Sequence, residues 1–218
     1  MMELSLAGLG RPPRLLFLGA HSDDIEIGCG ATAMGLMERF PECEVRWVVF
    51  SGQEVREGEA RHAARQILGD GIRAQVEVLN FRDGFFPAQW AEVKARFEDL
   101  KGAFEPDLVF SHRGDDRHQD HRMVSELTWN TFRDHLILEY EIPKYDGDLG
   151  QPNVFVPVSE HHRRQKVELL MAAFGSQRPK TWFSESTFEG LMRIRGVECA
   201  SPTGYAEGFY ARKVTLGL

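Results

Sequence analysis

The sequence predicts an α/β domain with a mostly parallel central sheet. Its apolar residues switch along the chain between strand-like and helix-like periods, and the predicted strands and helices follow one another in turn. A chain of 218 residues with 42% hydrophobic residues is large enough for one sizeable core. We therefore expect one domain over residues 1–218, in which the less regular part after about residue 143 extends the same domain.

Short apolar runs bounded by polar or turn residues indicate buried strands. LLFLGA forms most of the first strand and EVRWVVF forms the second, and Pro106 introduces the fourth. The predicted strands span residues 14–20, 44–50, 75–81, 107–111 and 136–142, and two more lie near 154–158 and 208–214. A stretch rich in Gly and Asp, residues 144–152, predicts a surface loop.

Between these strands, apolar residues recur at the spacing of a helix face. One helix is predicted over residues 25–40 and a late one over about 160–174. The other faces consist of Ala60, Ala63, Ala64, Ile67 and Leu68, ended by Gly69; of Trp90, Val93, Phe97 and Leu100; and of Val124, Leu127, Thr128 and Thr131. Alternating strands and helices of this kind form right-handed units with parallel strands.

Composition and charge exclude several classes of protein. The net charge is −7 with no basic block, whereas nucleic-acid binding needs clustered Lys and Arg. No run reaches the roughly 18 apolar residues of a membrane span, and the first residues lack the pattern of a signal peptide. Three cysteines without CxxC spacing argue against a disulfide framework and a thiolate zinc site, and they favour the cytoplasm.

Two polar clusters follow predicted strands at the points where the strands end. AHSDD, residues 20–24, follows the first strand, and SHRGDDRHQDH, residues 111–121, follows the fourth. Ligands of open α/β sheets bind at the carboxyl ends of the strands, so both clusters are expected at one edge. His21, Asp24 and His121 then supply two imidazoles and one carboxylate, which is the ligand set of an open catalytic zinc site.

Neighbouring polar residues fit the remaining roles of a hydrolytic site. Asp23, beside Asp24, is placed to take the proton of a water activated by the metal. His118 could stabilise an oxyanion or protonate the leaving group, and Asp120 could orient an imidazole. The structural alternative is that Asp23 or Asp24 caps the following helix. Two histidines and one carboxylate also admit iron(II) or another divalent ion in place of zinc.

The same residues resemble the motifs of a known family. AHSDDIEIGCGAT, residues 20–32, resembles the AHPDDE-type signature of the PIG-L/LmbE-like deacetylases. DRHQDH, residues 116–121, resembles the second signature of that family, a His-x-Asp-His preceded by Asp-Arg. Weaker similarities are an Arg-x-x-Glu helix, an Asp-Gly turn and a late helix ending in Ser-Gln, at residues 56–69, 82–86 and 166–177. The resemblance extends from about residue 14 to the last predicted strand.

The resemblance implies a Rossmann-like three-layer sandwich and a zinc-dependent hydrolase. The family removes N-acetyl groups from N-acetylglucosamine-type sugars or cleaves related amides, so the implied substrate is a small amino-sugar. Carried over by position, the metal ligands are His21, Asp24 and His121, the general base is Asp23, the oxyanion stabiliser or acid is His118, the group behind the ligands is Asp120, and the residues that hold sugar hydroxyls are Arg56 and Asp83. The resemblance also suggests a homo-oligomer.

Two positions depart from the family pattern. Ser22 replaces the usual Pro, which removes a residue of fixed φ and adds a hydroxyl near the metal. Ile25 replaces the usual Glu, and Glu26 follows it. One residue along a helix turns the side chain by about 100°, so Glu26 is not expected to replace the missing carboxylate. The predicted metal and base positions are unchanged.

Two other functions fit the same residues. One is hydrolysis of a different amide, such as a thiol-sugar conjugate, by the same machinery. The other is a non-catalytic Rossmann-like module that binds a sugar or nucleotide, and the intact His21, Asp23, Asp24 and His121 argue against it. Gly28 and Gly30 lack the G-x-G-x-x-G pattern of a dinucleotide site and are better explained by close helix packing. His112 is a further candidate site residue after the fourth strand, and Asp116 is expected at the rim.

Overall fold

The computed structural model describes residues 3–215, and within them seven strands form one sheet. The strands are β1 (Arg14–His21), β2 (Glu44–Ser51), β3 (Arg73–Val78), β4 (Leu108–His112), β5 (Leu136–Tyr140), β6 (Val154–Pro157) and β7 (Ala206–Tyr210). Their order in the sheet is β3-β2-β1-β4-β5-β7-β6. The first five strands of this order are parallel, and β7 is antiparallel to both of its neighbours. Residues 1–2 and 216–218 of the predicted domain lie outside the described part.

Helices cover both faces of this sheet. They are α1 (Asp24–Arg39), α2 (Val55–Leu68), α3 (Trp90–Ala103), α4 (Gln119–Thr131), α5 (Glu160–Ala173) and α6 (Glu185–Glu198). α3 and α4 pack on one face, and the other four pack on the opposite face. Along β1, Leu15 and Phe17 enter one core and Leu16 and Leu18 the other, as the two-residue period of a strand requires. The predicted three-layer, Rossmann-like sandwich is confirmed.

The strand order reverses between β1 and β4. From β1 the chain builds outward to β2 and β3, and it then returns to place β4 on the other side of β1. The helices that follow β1 and β4 lie on opposite faces, which leaves a crevice above the carboxyl ends of these two strands. Both predicted polar clusters therefore meet at this crevice. None of the helices within residues 3–215 is long and apolar enough to cross a membrane.

Three elements differ from the sequence prediction. β3 ends at Val78 rather than at residue 81, because the chain leaves the ladder there and Asn80 forms only an isolated bridge with Ser51. β7 begins at Ala206 and ends at Tyr210, four residues before the predicted end at residue 214. The sequence pattern did not indicate α6 at all. Its exposed face carries Ile194 and Val197, 54% and 65% exposed, which hides the helical period of its buried residues.

Trp90 is also placed differently from the prediction. The sequence predicts it on the buried face of its helix with Val93 and Phe97, but its side chain is 48% exposed. Trp90 is the first residue of α3, so it lies at the edge of the helix face that Val93 and Phe97 bury. The expectation for Trp90 is therefore wrong, whereas that for the other two residues is confirmed.

Gly28 determines how closely α1 approaches the sheet. A Cβ at this position would overlap the ring of Tyr140 on β5 and lie 2.5 Å from its Cγ. Tyr140 is fully buried, and its hydroxyl donates a hydrogen bond of 2.6 Å to the carbonyl oxygen of Leu18, so the ring is held in place. The predicted close packing is confirmed at Gly28. It is wrong at Gly30, where a Cβ would meet the Lys166 side chain at 3.7 Å and the Glu26 Cβ at 3.9 Å, both at ordinary contact distance.

Replacing Gly28 with Ala should lower the free energy of unfolding by about 1–3 kcal/mol, the range for overpacked cores. Gly58→Ala is the matched control, because Gly58 lies exposed in α2 and a Cβ there meets nothing within 4 Å. The control should be neutral or stabilise the protein by up to about 1 kcal/mol, because Ala is the better helix former. Urea unfolding measures the stability of both variants. A Gly28→Ala variant as stable as Gly58→Ala would contradict the contact with Tyr140.

Asp107 joins β1 and β4 at the edge opposite the crevice. Its carboxylate accepts hydrogen bonds from Arg11 Nη1 and Nη2 at 2.8 and 2.6 Å, and from the backbone N–H of Arg14 at 2.7 Å. Partial burial works to raise the pKa of Asp107, but these bonds outweigh burial and hold the pKa below its usual value. The ionised carboxylate therefore stabilises the folded state.

Asp107→Asn should destabilise the protein by about 1 kcal/mol at pH 7. A carboxyl whose pKa is lowered by folding stabilises the fold above its unfolded pKa, and this contribution disappears as the pH falls through the folded value. The difference in stability between wild type and variant should therefore narrow as the pH falls below about 4. Urea midpoints at pH 7 and pH 3 measure it, with the exposed Asp70→Asn as control. A difference that stays constant with pH would contradict this role.

Candidate functional site

The crevice brings residues of the two clusters together. His21 is the last residue of β1, and Ser22 and Asp23 form the turn into α1, which begins at Asp24. His121 lies in the first turn of α4, after the loop that follows β4. His21, Asp24 and His121, the predicted metal ligands, converge here, and their exposed fractions are 6%, 3% and 3%.

The facing atoms of these side chains are His21 Nδ1, Asp24 Oδ2 and His121 Nε2. His21 Nδ1 lies 3.3 Å from Asp24 Oδ2 and 3.1 Å from His121 Nε2, and Asp24 Oδ2 and His121 Nε2 are 3.5 Å apart. Ligands bound at the usual distances from a tetrahedral zinc ion are separated by about 3.3–3.6 Å. The three atoms, called the donor triad below, therefore have a spacing that fits a divalent ion.

Two further histidines border the donor triad. His118 is the N-cap of α4, and its Nδ1 accepts the Asp120 N–H at 3.3 Å. His112, expected in the loop, is instead the last residue of β4 and is fully buried. Its Nε2 lies 3.2 Å from Asp24 Oδ2, but it accepts the Ala20 N–H at 2.9 Å. Because that lone pair is already used, His112 is poorly suited to bind a metal.

Asp120 holds the far side of His21. One of its carboxylate oxygens lies 3.2 Å from His21 Nε2. The carboxylate also accepts the N–H groups of Gly84 and Phe86 at 2.7 and 3.1 Å, so the loop before α3 fixes its position. The structure thus places Asp120 behind an imidazole of the triad, which is the position that the sequence predicts.

Asp116 has the same relation to His121. Its Oδ2 lies 2.9 Å from His121 Nδ1, and its Oδ1 accepts the His118 N–H at 2.8 Å. The expectation that Asp116 lies at the rim is wrong, because the His121 imidazole and the N–H of the N-cap residue His118 draw it inward, where it is 3% exposed. Asp116 lies two residues before His118, the N-cap of α4, and this position in the sequence could have predicted its inward orientation. Both imidazoles of the triad therefore have a carboxylate at their second nitrogen, which fixes the tautomer and the ring orientation.

Asp23 lies beside the triad and is linked to the entrance of the crevice. Its side chain makes no capping hydrogen bond to α1, so the capping alternative is wrong for this residue. Asp23 Oδ1 accepts from Arg56 Nη2 at 3.1 Å, and Arg56 Nη1 donates to Asp83 Oδ2 at 3.0 Å. The Asp83 side chain is 51% exposed, and its Oδ1 lies 3.1 Å from His21 Nε2. Arg56 and Asp83 thus connect the buried site with solvent.

The adjacent carboxyls of Asp23 and Asp24 have pKa values displaced in opposite directions. Burial and the charge of Asp24 raise the pKa of Asp23, against the effect of Arg56. Burial also works to raise the pKa of Asp24, but the imidazoles around it outweigh burial and hold that pKa well below the usual value. Asp24 is therefore ionised at neutral pH, as a metal ligand must be.

The two imidazoles of the triad also differ. Burial lowers the pKa of His121 to about 4, so His121 is neutral at pH 7. Burial works to lower the pKa of His21, but Asp24 and Asp120 outweigh it and raise the pKa well above its usual value. The carboxylates around His21 therefore make this part of the crevice attractive to a positive charge.

The positions that depart from the family pattern are buried beside the triad. The Ser22 hydroxyl donates to the carbonyl oxygen of Ser51 at 3.3 Å, and Ile25 is fully buried in the core. Glu26 is 1% exposed, and neither carboxylate oxygen has a hydrogen-bond partner among the described residues. Burial raises the pKa of Glu26 well above its usual value. Within the described part of the chain, Glu26 is in none of the His/Asp clusters that could hold a metal ion.

Comparison with known sequences places this geometry among relatives. A family model described as PIG-L: GlcNAc-PI de-N-acetylase matches residues 16–132, which is more than half of the chain and includes both clusters. The uncharacterized deacetylase YaiS of Escherichia coli K12 is 31% identical over 176 residues, which cover 76% of this chain and 92% of that protein.

Solved structures share the fold at lower identity. The 4-carboxy-2-hydroxymuconate hydratase GalB of Pseudomonas putida KT2440 has a TM-score of 0.74 at 18% identity and covers 94% of this chain and 99% of its own. The N,N'-diacetylchitobiose deacetylase of Pyrococcus horikoshii has a TM-score of 0.62 at 18% identity and covers 94% of this chain and 86% of its own. At these identities the similarity establishes the fold alone.

Removing a bound metal should lower the melting temperature by about 5–10 °C. A ligand at 100 times its Kd contributes about 2.7 kcal/mol, and 1 kcal/mol corresponds to roughly 2–4 °C in a protein of this size. His121→Ala should abolish the shift between chelator and added Zn²⁺, whereas His62→Ala, on the exposed surface of α2, should keep it. Thermal scans measure the shift. A wild-type melting temperature indifferent to chelator and to zinc would contradict a metal site.

Proposed function

The chain belongs to the PIG-L/LmbE-like deacetylase family, and from that premise we propose that it removes the N-acetyl group of an N-acetylglucosamine-type sugar or sugar conjugate with zinc as its metal. As a member of this family, it is a metal-dependent deacetylase, an enzyme that hydrolyses an amide bond. The observation that carries the proposal is the buried donor triad, with its atoms 3.1–3.5 Å apart and Asp23 beside it.

His21, Asp24 and His121 would hold the zinc ion through the three atoms of the donor triad. The ion supplies a water of lowered pKa and a Lewis acid for the acyl oxygen of the substrate. Iron(II) accepts the same nitrogen and oxygen donors, so metal analysis of the purified protein has to distinguish the two. Asp116 and Asp120 would keep the second nitrogen of each imidazole protonated, which leaves the other lone pair for the metal.

Asp23 is the proposed general base. Its carboxylate is adjacent to a proposed metal ligand, and the hydrogen bond from Arg56 Nη2 at 3.1 Å holds it in one direction. Its raised pKa makes it a better proton acceptor than an ordinary aspartate. Asp23 would take a proton from the water that attacks the amide carbon and would pass it to the leaving amine.

His118 is the proposed partner of the oxyanion. Its Nδ1 accepts the Asp120 N–H, so the neutral ring carries its proton on Nε2. Burial and the charge of His21 lower the pKa of His118, which favours that neutral form. The Nε2–H can then donate to the negative charge that develops on the acyl oxygen, an interaction that strengthens in the transition state. This favours oxyanion stabilisation over the alternative role of acid.

Arg56 and Asp83 are the proposed contacts for sugar hydroxyls. The pair offers N–H donors and carboxylate acceptors at the entrance of the crevice, next to the buried Asp23. The Pyrococcus horikoshii relative is a deacetylase of N,N'-diacetylchitobiose, which supports an amino-sugar as the substrate class. An amide of another kind, such as a thiol-sugar conjugate, would use the same catalytic residues and is the second candidate.

Metal content and amine release from N-acetylglucosamine and short chitooligosaccharides test the proposal together. Wild type should carry about one zinc ion per chain and lose amine release on chelation. Asp23→Asn should keep the zinc and slow turnover by about 10²–10⁴-fold, because it removes only the proton acceptor. The exposed Asp70→Asn should behave as wild type.

Each failure has its own meaning in that experiment. A chain that holds zinc but releases no amine from any of these sugars would contradict the sugar substrate and favour another amide. An Asp23→Asn enzyme with the wild-type rate would contradict the role of Asp23 as base. A protein that holds no metal would contradict the proposed mechanism as a whole.

A further inference from the structure

Lys144 is a buried cation in the segment that the sequence predicts to be a surface loop. Its side chain is 8% exposed. The ammonium nitrogen lies 2.6 Å from Asp148 Oδ2, 3.0 Å from Asp116 Oδ2 and 3.5 Å from the carbonyl oxygen of Ile142. An ammonium group has three protons, so these three acceptors satisfy it completely. The segment is the surface loop that the sequence predicts, with residues 145–147, 149 and 151 exposed, but the Lys144 side chain turns inward.

Asp116 connects Lys144 to the donor triad. The same oxygen, Oδ2, that faces the ammonium also lies 2.9 Å from His121 Nδ1. The other oxygen accepts the His118 N–H at 2.8 Å, so both carboxylate oxygens are held. Lys144 is thus two hydrogen bonds from a proposed metal ligand, although it follows that ligand by more than twenty residues in the chain.

The segment that carries Lys144 is fixed to the loop before α4. Asp148 Oδ2 accepts the Arg117 N–H at 2.6 Å, and the carbonyl oxygen of Asp148 accepts from Arg113 Nη1 at 2.8 Å. Gly147 has a φ of +61°, a left-handed conformation that glycine adopts without steric cost and that brings Asp148 back toward Lys144. The ammonium is therefore delivered by an ordered turn and has a defined position.

We propose that Lys144 is a positioning residue of the metal site. By holding Asp116 against His121, it keeps the proton on His121 Nδ1 and directs the Nε2 lone pair toward Asp24. The inference rests on the proposed function, because it takes His121 as a metal ligand. Without the ammonium, the buried carboxylates of Asp116 and Asp148 would face one another uncompensated, and their repulsion would move Asp116 away from His121.

The zinc affinity of the metal-free protein, measured with Zn²⁺ against a chromophoric chelator, tests this proposal. Lys144→Met keeps most of the unbranched aliphatic side chain but removes its charge, and it should weaken zinc binding by about 10–100-fold. Lys144→Arg restores the charge and should recover most of the affinity. Lys101→Met, in the exposed last turn of α3, is the matched control and should bind zinc as wild type does.

A double-mutant cycle distinguishes positioning from a general structural loss. If Lys144 acts through Asp116, Lys144→Met should weaken zinc binding much less in an Asp116→Asn background than in wild type. Additive effects of the two substitutions would overturn the proposal. Urea unfolding of the metal-free variants shows whether each is folded. Asp148→Asn, which keeps an acceptor for the Arg117 N–H, should weaken binding in the same direction and replaces Lys144→Met if that variant does not fold.

The outcomes separate this inference from the proposed function. Wild-type zinc affinity in a folded Lys144→Met variant would overturn the role of Lys144 and leave the deacetylase mechanism standing. A wild-type protein that binds no zinc in the same titration would overturn both. The positioning role would be supported if Lys144→Met weakens zinc binding, Lys144→Arg restores it, and Lys144→Met has little further effect in the Asp116→Asn background.

Discussion

Charged and polar side chains buried at the crevice between β1 and β4 need partners, because desolvation without a partner costs several kcal/mol per charge. Asp24 is 3% exposed, and its Oδ2 accepts the backbone N–H of His21 at 2.6 Å and lies 3.2–3.5 Å from ring nitrogens of His21, His112 and His121. Asp120 and Asp116 lie at the outer nitrogens of His21 and His121. Those two carboxylates are in turn held by backbone N–H groups of neighbouring loops and helix starts. Much of the chain around the crevice is arranged to supply these partners.

The same requirement governs α1, which carries Asp24 in its first turn. The helix is interrupted at Cys29, where φ is −145° and ψ is 21°. The hydrogen bonds at the break run from Ala31 and Thr32 N–H to the Glu207 carboxylate at 3.0 and 2.6 Å, and from Lys166 Nζ to the Ile27 carbonyl oxygen and to Glu207 at 2.6 Å each. Glu207 thereby acts as the anion at the start of the second helical piece. These hydrogen bonds join both pieces of α1 to α5 and β7, and so hold the helix whose first turn carries Asp24.

The part of the chain after residue 143 therefore supports the site from two directions. Lys166 and Glu207 stabilise α1 from behind, and Lys144 holds the carboxylate behind His121. Each of these contacts is a buried ion pair whose charges compensate one another. β6 and β7 extend the sheet beyond β5, which places Glu207 next to α1. The C-terminal strands thus contribute to the geometry of the site as well as to the sheet.

The sequence by itself was sufficient for the alternation of strands and helices and for the residues that meet at the crevice. Strand and helix periods depend on local sequence. His21 ends one strand, and Asp24 and His121 come after two strands whose carboxyl ends share one edge. The close packing at Gly28 could also be predicted, because its helix directly follows β1 and packs on the sheet.

Only the tertiary structure decided the contacts that join distant segments. The inward position of Asp116, the burial of Lys144 and the pairing of Glu207 with the broken helix depend on which polar groups packing leaves without a partner. The sequence did not predict α6, because the exposed apolar residues Ile194 and Val197 obscure the helical period of its buried residues. Spacing along a chain records which side chains share a face of one element. It does not record which buried charge on another element they must neutralise, because that depends on the packed arrangement of all the elements.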